Sequence, residues 1–200
     1  MYKAVKRLLD FLISLIAICG LSWLLIIIAL IIKIEDNGNI LFKQKRIGLN
    51  KKEFYIYKFR TMKTTTPKDV PTHPLENPDS YITTIGKFLR KSSLDELPQL
   101  FNILKGEMSL VGPRPALWNQ FDLIAERDKY GANGVVPGLT GWAQVNGRDE
   151  LPIDVKAKFD GEYVKKMSLL FDIFILFKTV VSVFKAEGVQ EGKNENNTNR

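Results

Sequence analysis

The 200-residue chain sets 29 Lys and Arg against 22 Asp and Glu, a formal net charge of +7; the cations are dispersed among acids, which argues against nucleic acid and for lipid headgroups and a phosphorylated substrate. A single cysteine, Cys19, excludes an intramolecular disulfide. The one histidine, His73, sits in a Pro-rich loop, so chemistry is expected to rest on carboxylates and cations.

Residues 11–32 read FLISLIAICGLSWLLIIIALII, 22 positions without an ionisable side chain. At roughly 1.5 Å of rise per residue, a straight helix of that length is about 33 Å long, enough for a hydrocarbon core of about 30 Å. The run ends in Ile31-Ile32-Lys33-Ile34 instead of a small-residue cleavage site, so it reads as a retained anchor. Lys3, Lys6 and Arg7 precede it; Lys33, Lys43, Lys45 and Arg46 follow. Cations on both flanks suit a helix that bends near Gly20 and Ser22 and re-emerges on the same face, because glycine weakens a helix and serine can bond to a freed carbonyl. A single crossing with a basic far flank also fits.

Asp36-Asn37-Gly38-Asn39 is a turn signal. Residues 40–47 and 53–62 read as strands, the second placing Phe54, Ile56, Lys58 and Arg60 on one face and Tyr55, Tyr57 and Phe59 on the other. Lys58 and Arg60 are then either a phosphate-facing pair or cations protecting a solvated strand edge. Residues 64–80 hold four prolines and no periodicity, a loop. Helices are predicted over 82–91, 98–105 (closed by Gly106), 117–129, 153–166 and 168–185. The last is strongly apolar, with Asp172 and Lys178 as its only internal charges, and suits an interface or a core. Between them, 131–149 is glycine-rich, and Asn146-Gly147 could close a hairpin. The tail from Glu187 is polar and expected to be disordered. The expected organisation is an anchor over 1–36, one cytosolic domain over 37–186, and a tail over 187–200.

Three polar clusters stand out. In Arg90-Lys91-Ser92-Ser93-Leu94-Asp95-Glu96-Leu97-Pro98-Gln99, Ser93 and Glu96 have capping-box spacing. Pro98 would then lie a full turn inside the helix, which conflicts with that box. A helix starting at Pro98 leaves Asp95 and Glu96 in the entry turn. In either case the positive helix end is expected to keep Asp95 ionised, as a nucleophile or Mg²⁺ ligand must be. In Val111-Gly112-Pro113-Arg114-Pro115, stiff backbone on both sides presents a guanidinium suited to phosphate, or simply makes a tight surface turn. In Pro137-Gly138-Leu139-Thr140-Gly141-Trp142-Ala143-Gln144-Val145-Asn146-Gly147-Arg148, glycines permit close backbone approach, while Gln144, Asn146 and Arg148 supply polar ends. Trp142 is expected in the core.

The order of the motifs is more specific than any one of them. A basic-flanked membrane segment, YKFRTM, LDELPQLFNILKGEMSLVGPRP, PGLTGWAQVNGR and a final amphipathic helix together resemble the bacterial sugar transferases. These are monotopic phosphoglycosyl transferases acting on polyprenyl phosphate at the cytoplasmic face of the bacterial cell membrane. The likeness covers about residues 2 to 189 and implies an α+β, helix-rich domain beside a re-entrant or transmembrane helix. It implies that Asp95 and Glu96 form the catalytic dyad with Mg²⁺, which Asp95 would help hold. Asp95 would attack the β-phosphorus of a UDP-sugar, expel UMP and pass the sugar phosphate to polyprenyl phosphate. It also implies that Lys58, Arg60, Arg90, Arg114 and Arg148 are the candidate phosphate cations, with Gln144 and Asn146 beside the substrate. Glu96 would take a proton or help hold the metal.

One departure is notable. The family's anchor usually has Ser-Pro at its bend, and here the pair is Ser22-Trp23. Without proline's missing N–H, a same-side return must rest on Gly20, Ser22 and the basic flanks, and such a return is the expectation. Two competing readings are a glycosyltransferase that releases UDP and a non-catalytic membrane scaffold that keeps the acids for capping.

Overall fold

The apolar run folds as two helices instead of one. In the computed structural model, which describes residues 2–66, 78–147 and 151–184, α1 (Tyr2–Gly20) and α2 (Ser22–Glu35) meet at a bend of 62°. Among the described residues no single helix is long and apolar enough to cross a bilayer, whereas the bent pair together meets length and composition. The break falls at Leu21 (φ −96°, ψ 6°), in the sparsely populated bridge region. Ser22 Oγ donates to the Cys19 carbonyl at 2.9 Å, the back-bond anticipated for it. Gly20 lies at the end of α1 outside the positive-φ region, and a Cβ there would meet nothing within 4 Å, so its special freedom is unused.

Strands β1 (Leu41–Ile47) and β2 (Glu53–Phe59) form the expected antiparallel hairpin, with Leu41 opposite Phe59 and Ile47 opposite Glu53. The hairpin turn takes Asn50 and Lys51 through left-handed backbone. β2 stops at Phe59, short of the expected Met62. It is buried from both sides: Ile56 enters a cluster with Leu100, Ile103 and Met108, while Phe59 enters another with Ile28, Ile32 and Leu89. The first cluster rests on Ala17 and Ile18 of α1, and the second is built largely from α2. Both halves of the bent pair therefore contribute to the interior.

Helix α3 (Thr84–Ser92) is capped by Thr83, whose Oγ1 accepts from Gly86 N at 3.0 Å. Glu35, the last residue of α2, accepts from Thr84 N at 2.7 Å and fastens α2 to that helix start. Ser93 adopts left-handed backbone (φ 57°) and closes α3. It does not cap the following helix, so the expected capping box is absent. Leu94–Glu96 form a 3₁₀ turn, and α4 (Gln99–Lys105) ends as expected at left-handed Gly106.

The predicted helix 117–129 contracts to α5 (Phe121–Asp128) because its first residues are used elsewhere: Ile47 N donates to Ala116 O, and Leu117 bridges Arg46. A parallel pair, β3 (Ser109–Val111) and β4 (Gly138–Thr140), was not anticipated; three residues are too few to show alternation. No hairpin forms at Asn146-Gly147, where Gln144–Asn146 make a 3₁₀ turn. Trp142 packs inside against Phe171 with ring centroids 5.2 Å apart. Helices α6 (Ile153–Lys166) and α7 (Leu169–Phe184) follow. Asp172 of α7 is buried and accepts from Tyr2, Lys6 and Tyr163 at 2.8–2.9 Å, joining the chain's two ends. The tail from Glu187, His73 and Arg148 lie outside the described residues.

Candidate active site

The site begins with a clamp that sequence reading missed. Asn102, fully buried on α4, covers the outer edge of β2 as another strand would: its Oδ1 accepts from Tyr57 N at 3.0 Å and its Nδ2 donates to Tyr55 O at 2.7 Å. Nδ2 also donates to Glu107 at 2.7 Å. This fixes β2 against the helix that follows the acidic pair. Lys58, one residue past Tyr57, then places Nζ 2.7 Å from Glu96 Oε1 and 3.9 Å from Asp95 Oδ2.

Arg114 arrives from the other side. Gly112 N donates to Thr140 O and Gly138 N to Pro113 O, each at 2.9 Å. A Cβ on Gly112 would lie 2.6 Å from Val136 O, and one on Gly141 would lie 2.2 Å from Gly112 O. Only glycine permits that approach. The rigid turn delivers the Arg114 fork to Glu96, with Nη2 2.6 Å from Oε1 and Nη1 3.3 Å from Oε2, the bidentate geometry expected of guanidinium and carboxylate. Arg90 is held by a bond from its Nε to Thr61 Oγ1 at 2.9 Å, and its charge reaches Asp95.

The adjacent carboxylates have opposite environments. Burial pushes the Asp95 carboxyl up, with Lys58 opposing. Burial acts on Glu96 too, but Arg114 and Lys58 outweigh it and hold that carboxyl well below the usual range. The expectation that a helix end keeps Asp95 ionised is thus corrected. Asp95 sits in a 3₁₀ turn separated from short α4 by Leu97 and Pro98, and desolvation dominates there.

The other candidates divide. Arg60 is bound to the Asp36 turn, donating to Asp36 O and lying 3.5 Å from its carboxylate, with Gly38 packed against the guanidinium. It belongs to the corner after α2 and makes no contact with the acidic pair. Gln144 Nε2 donates to Leu139 O at 3.3 Å while its Oε1 is buried without a partner. Asn146 Nδ2 donates to Trp142 O at 2.7 Å. Arg148 lies outside the described residues. Lys58, Arg90, Arg114, Asp95 and Glu96 are the candidates that come together.

Among the described residues no three His, Cys, Asp or Glu side chains converge as a metal cage. Mg²⁺ needs none: it is commonly held by one or two carboxylates with substrate phosphates completing the shell. Asp95 fits that role, since its carboxylate accepts no hydrogen bond from a described residue, whereas both oxygens of Glu96 are occupied by cations.

Residues 1–186 match the family model for the bacterial sugar transferases. The chain is 40% identical over 187 residues to the uncharacterized sugar transferase EpsL of Bacillus subtilis, covering 93% of this chain and 90% of that one. It is 37% identical to the exopolysaccharide production protein ExoY of Sinorhizobium fredii, covering 92% and 87%. It is also 40% identical to the UDP-glucose:undecaprenyl-phosphate glucose-1-phosphate transferase of Xanthomonas campestris, covering 91% of this chain and 39% of that longer protein.

Proposed function

The chain belongs to the bacterial sugar transferase family, and from that premise we propose that it transfers a sugar 1-phosphate from a UDP-sugar to polyprenyl phosphate, releasing UMP. The observation that carries this reading is the contrast between positions 95 and 96. Asp95 is buried with its oxygens uncommitted, beside a Glu96 that holds Lys58 and Arg114 in place. A nucleophile flanked by fixed cations is what phosphoryl transfer requires. The similarity to a glucose-1-phosphate transferase acting on undecaprenyl phosphate supports the donor and acceptor classes.

In this reading an Asp95 carboxylate oxygen bonds to the β-phosphorus of the UDP-sugar. The bond from that phosphorus to the bridging oxygen breaks, and UMP departs with the electron pair. The acyl phosphate on Asp95 keeps the reactivity of the anhydride it replaced. An oxygen of polyprenyl phosphate then bonds to the same phosphorus, the Asp95–phosphorus bond breaks, and the carboxylate is regenerated. Lys58 and Arg114 offset charge on the transferring group, with Arg90 nearby. Glu96, its oxygens occupied and its carboxyl held low, orients those cations and is a poor proton acceptor. Mg²⁺, when bound at Asp95 and the diphosphate, supplies further neutralisation of the phosphate charge.

The reading places the domain at the cytoplasmic face of the bacterial membrane, with α1 and α2 entering and leaving on one side. Its support is the cations at both ends of the pair and the 62° bend. The decisive experiment incubates protein, Mg²⁺ and polyprenyl phosphate with a panel of UDP-sugars and follows UMP. UMP release lost on chelation and in Asp95→Asn is the expected result, with a phosphosugar adduct on Asp95 when the acceptor is withheld. UDP as the product, or an active Asp95→Asn, would refute it.

A further inference from the structure

A 62° bend needs a cause, and the usual ones are missing. Sharp helix kinks trace to proline, Gly/Ser steps, π-bulges or an inserted side chain. Residues 20–23 read Gly-Leu-Ser-Trp without proline, Gly20 uses no conformation closed to other residues, and Ser22 supplies a single hydrogen bond. Backbone bonds still run from Leu21 N to Ala17 O and from Leu25 N to Leu21 O, each at 2.9 Å. The local sequence alone does little to keep these two apolar helices from straightening.

The inside of the angle is filled by the catalytic turn. Leu94 and Leu97, which bracket Asp95 and Glu96, pack on the cluster built around Ile28 and Ile32 of α2. Leu97 also packs on the second cluster, where Ala17 and Ile18 of α1 rest against Leu100 and Ile103. One side chain thus joins the interiors of both helices. Straightening the pair would pull apolar neighbours away from it, and shifting it would displace the carboxylates at its own turn.

We propose that Leu97 is a positioning residue seated in the angle between α1 and α2, so that the bend and the placement of Asp95 and Glu96 are maintained as one unit. The link to turnover rests on the phosphotransferase reading; the link to the bend does not. Trimming the Leu97 side chain should therefore change the angle and slow turnover together.

The test uses the full chain in lipid nanodiscs. Spin labels on Leu12→Cys and Ile31→Cys, both exposed positions, in a Cys19→Ser background report the angle as a distance distribution, while UMP release reports turnover. Leu97→Ala should broaden and lengthen the distances and lower kcat about tenfold or more, with donor KM changed by less than about twofold. Leu97→Met, of similar volume, should leave both unchanged. Adding Trp23→Pro to Leu97→Ala should narrow the distances and recover most of kcat, because proline in the first turn of α2 costs little and imposes the break. Unchanged distances in Leu97→Ala overturn the proposal, as does a double variant that is bent again yet no faster. A parent protein that releases no UMP sinks the phosphotransferase reading and the link to turnover, while the distances still decide whether Leu97 holds the bend.

Discussion

Asn102→Ala tests whether the site is held from behind by the helix that follows the acidic turn. The substitution strands Tyr57 N–H and Tyr55 C=O at a covered strand edge, since Asn102 is their partner there. An unsatisfied buried backbone group costs roughly 1–3 kcal/mol, so the two together should cost about 4 kcal/mol. At roughly 2–4 °C per kcal/mol for a chain of this size, the melting temperature in detergent should fall by about 10 °C. Lys58 is the next residue along β2, and a shift of about 1 Å at a reacting centre can cost on the order of a hundredfold in rate. UMP release should therefore fall even well below the melting temperature. Asn102→Asp is the informative control. It keeps an acceptor for Tyr57 N–H but turns its second oxygen on the Tyr55 carbonyl and Glu107, so it should be no better than alanine. An Asn102→Ala protein melting within about 2 °C of the parent, with unchanged kcat, would show that the clamp does not hold the strand.

The two carboxylates should respond to neutralisation with opposite signs. Asp95 is raised by burial, so its stability contribution is complete in acid and is lost as pH rises through its folded value; Asp95→Asn should melt higher than the parent at pH 7, with the gap closing in acid, and a lower melting temperature at pH 7 would refute this. Glu96 is held low by Arg114 and Lys58 despite its burial, so its contribution is present at neutral pH and lost in strong acid. Glu96→Gln breaks a largely buried ion cluster at a cost of about 3 kcal/mol and should melt lower at pH 7. Gly112→Ala, whose Cβ would meet Val136 O at 2.6 Å, should disrupt the β3–β4 approach and lower UMP release, whereas Gly134→Ala, with nothing within 4 Å, should change neither stability nor rate. Tags on both termini should be shielded from an impermeant reagent in intact cells; labelling of the amino-terminal tag alone would establish a full crossing.

The hairpin, α4 with its Gly106 end, and the two C-terminal helices were legible because each leaves a local mark: alternation in 53–59, a glycine after Lys105, long amphipathic runs. What the sequence hid depends on contacts far along the chain. The parallel pair β3–β4 joins residues nearly thirty apart, and its strands are too short to alternate. Ser93 has capping-box spacing, but Thr83 already caps α3 and the chain needs a left-handed residue to turn toward Leu94. Lys58 and Arg60 share a strand pattern, yet they part because Arg60 lies past the end of β2, where Asp36 captures it. Asn102 carries no mark at all. An asparagine in a short helix reads as an ordinary polar position until the strand edge it covers is seen.

The opposite fates of Asp95 and Glu96 follow from the turn that carries them. In a 3₁₀ turn, with three residues per revolution, neighbouring side chains point about a third of a circle apart. Leu94 and Leu97, three apart, share one direction, and that direction is committed to the apolar angle between α1 and α2. Asp95 and Glu96 take the two remaining ones. Glu96 meets Lys58 from the strand and Arg114 from the rigid turn. Asp95 is buried too, but its nearest cation stands 3.9 Å away. An α-helical turn would put Leu94 and Leu97 farther out of line and loosen their common seat. The helix break before Gln99 is therefore part of the site: it lets two leucines anchor the turn while one carboxylate is neutralised and its neighbour is left to react.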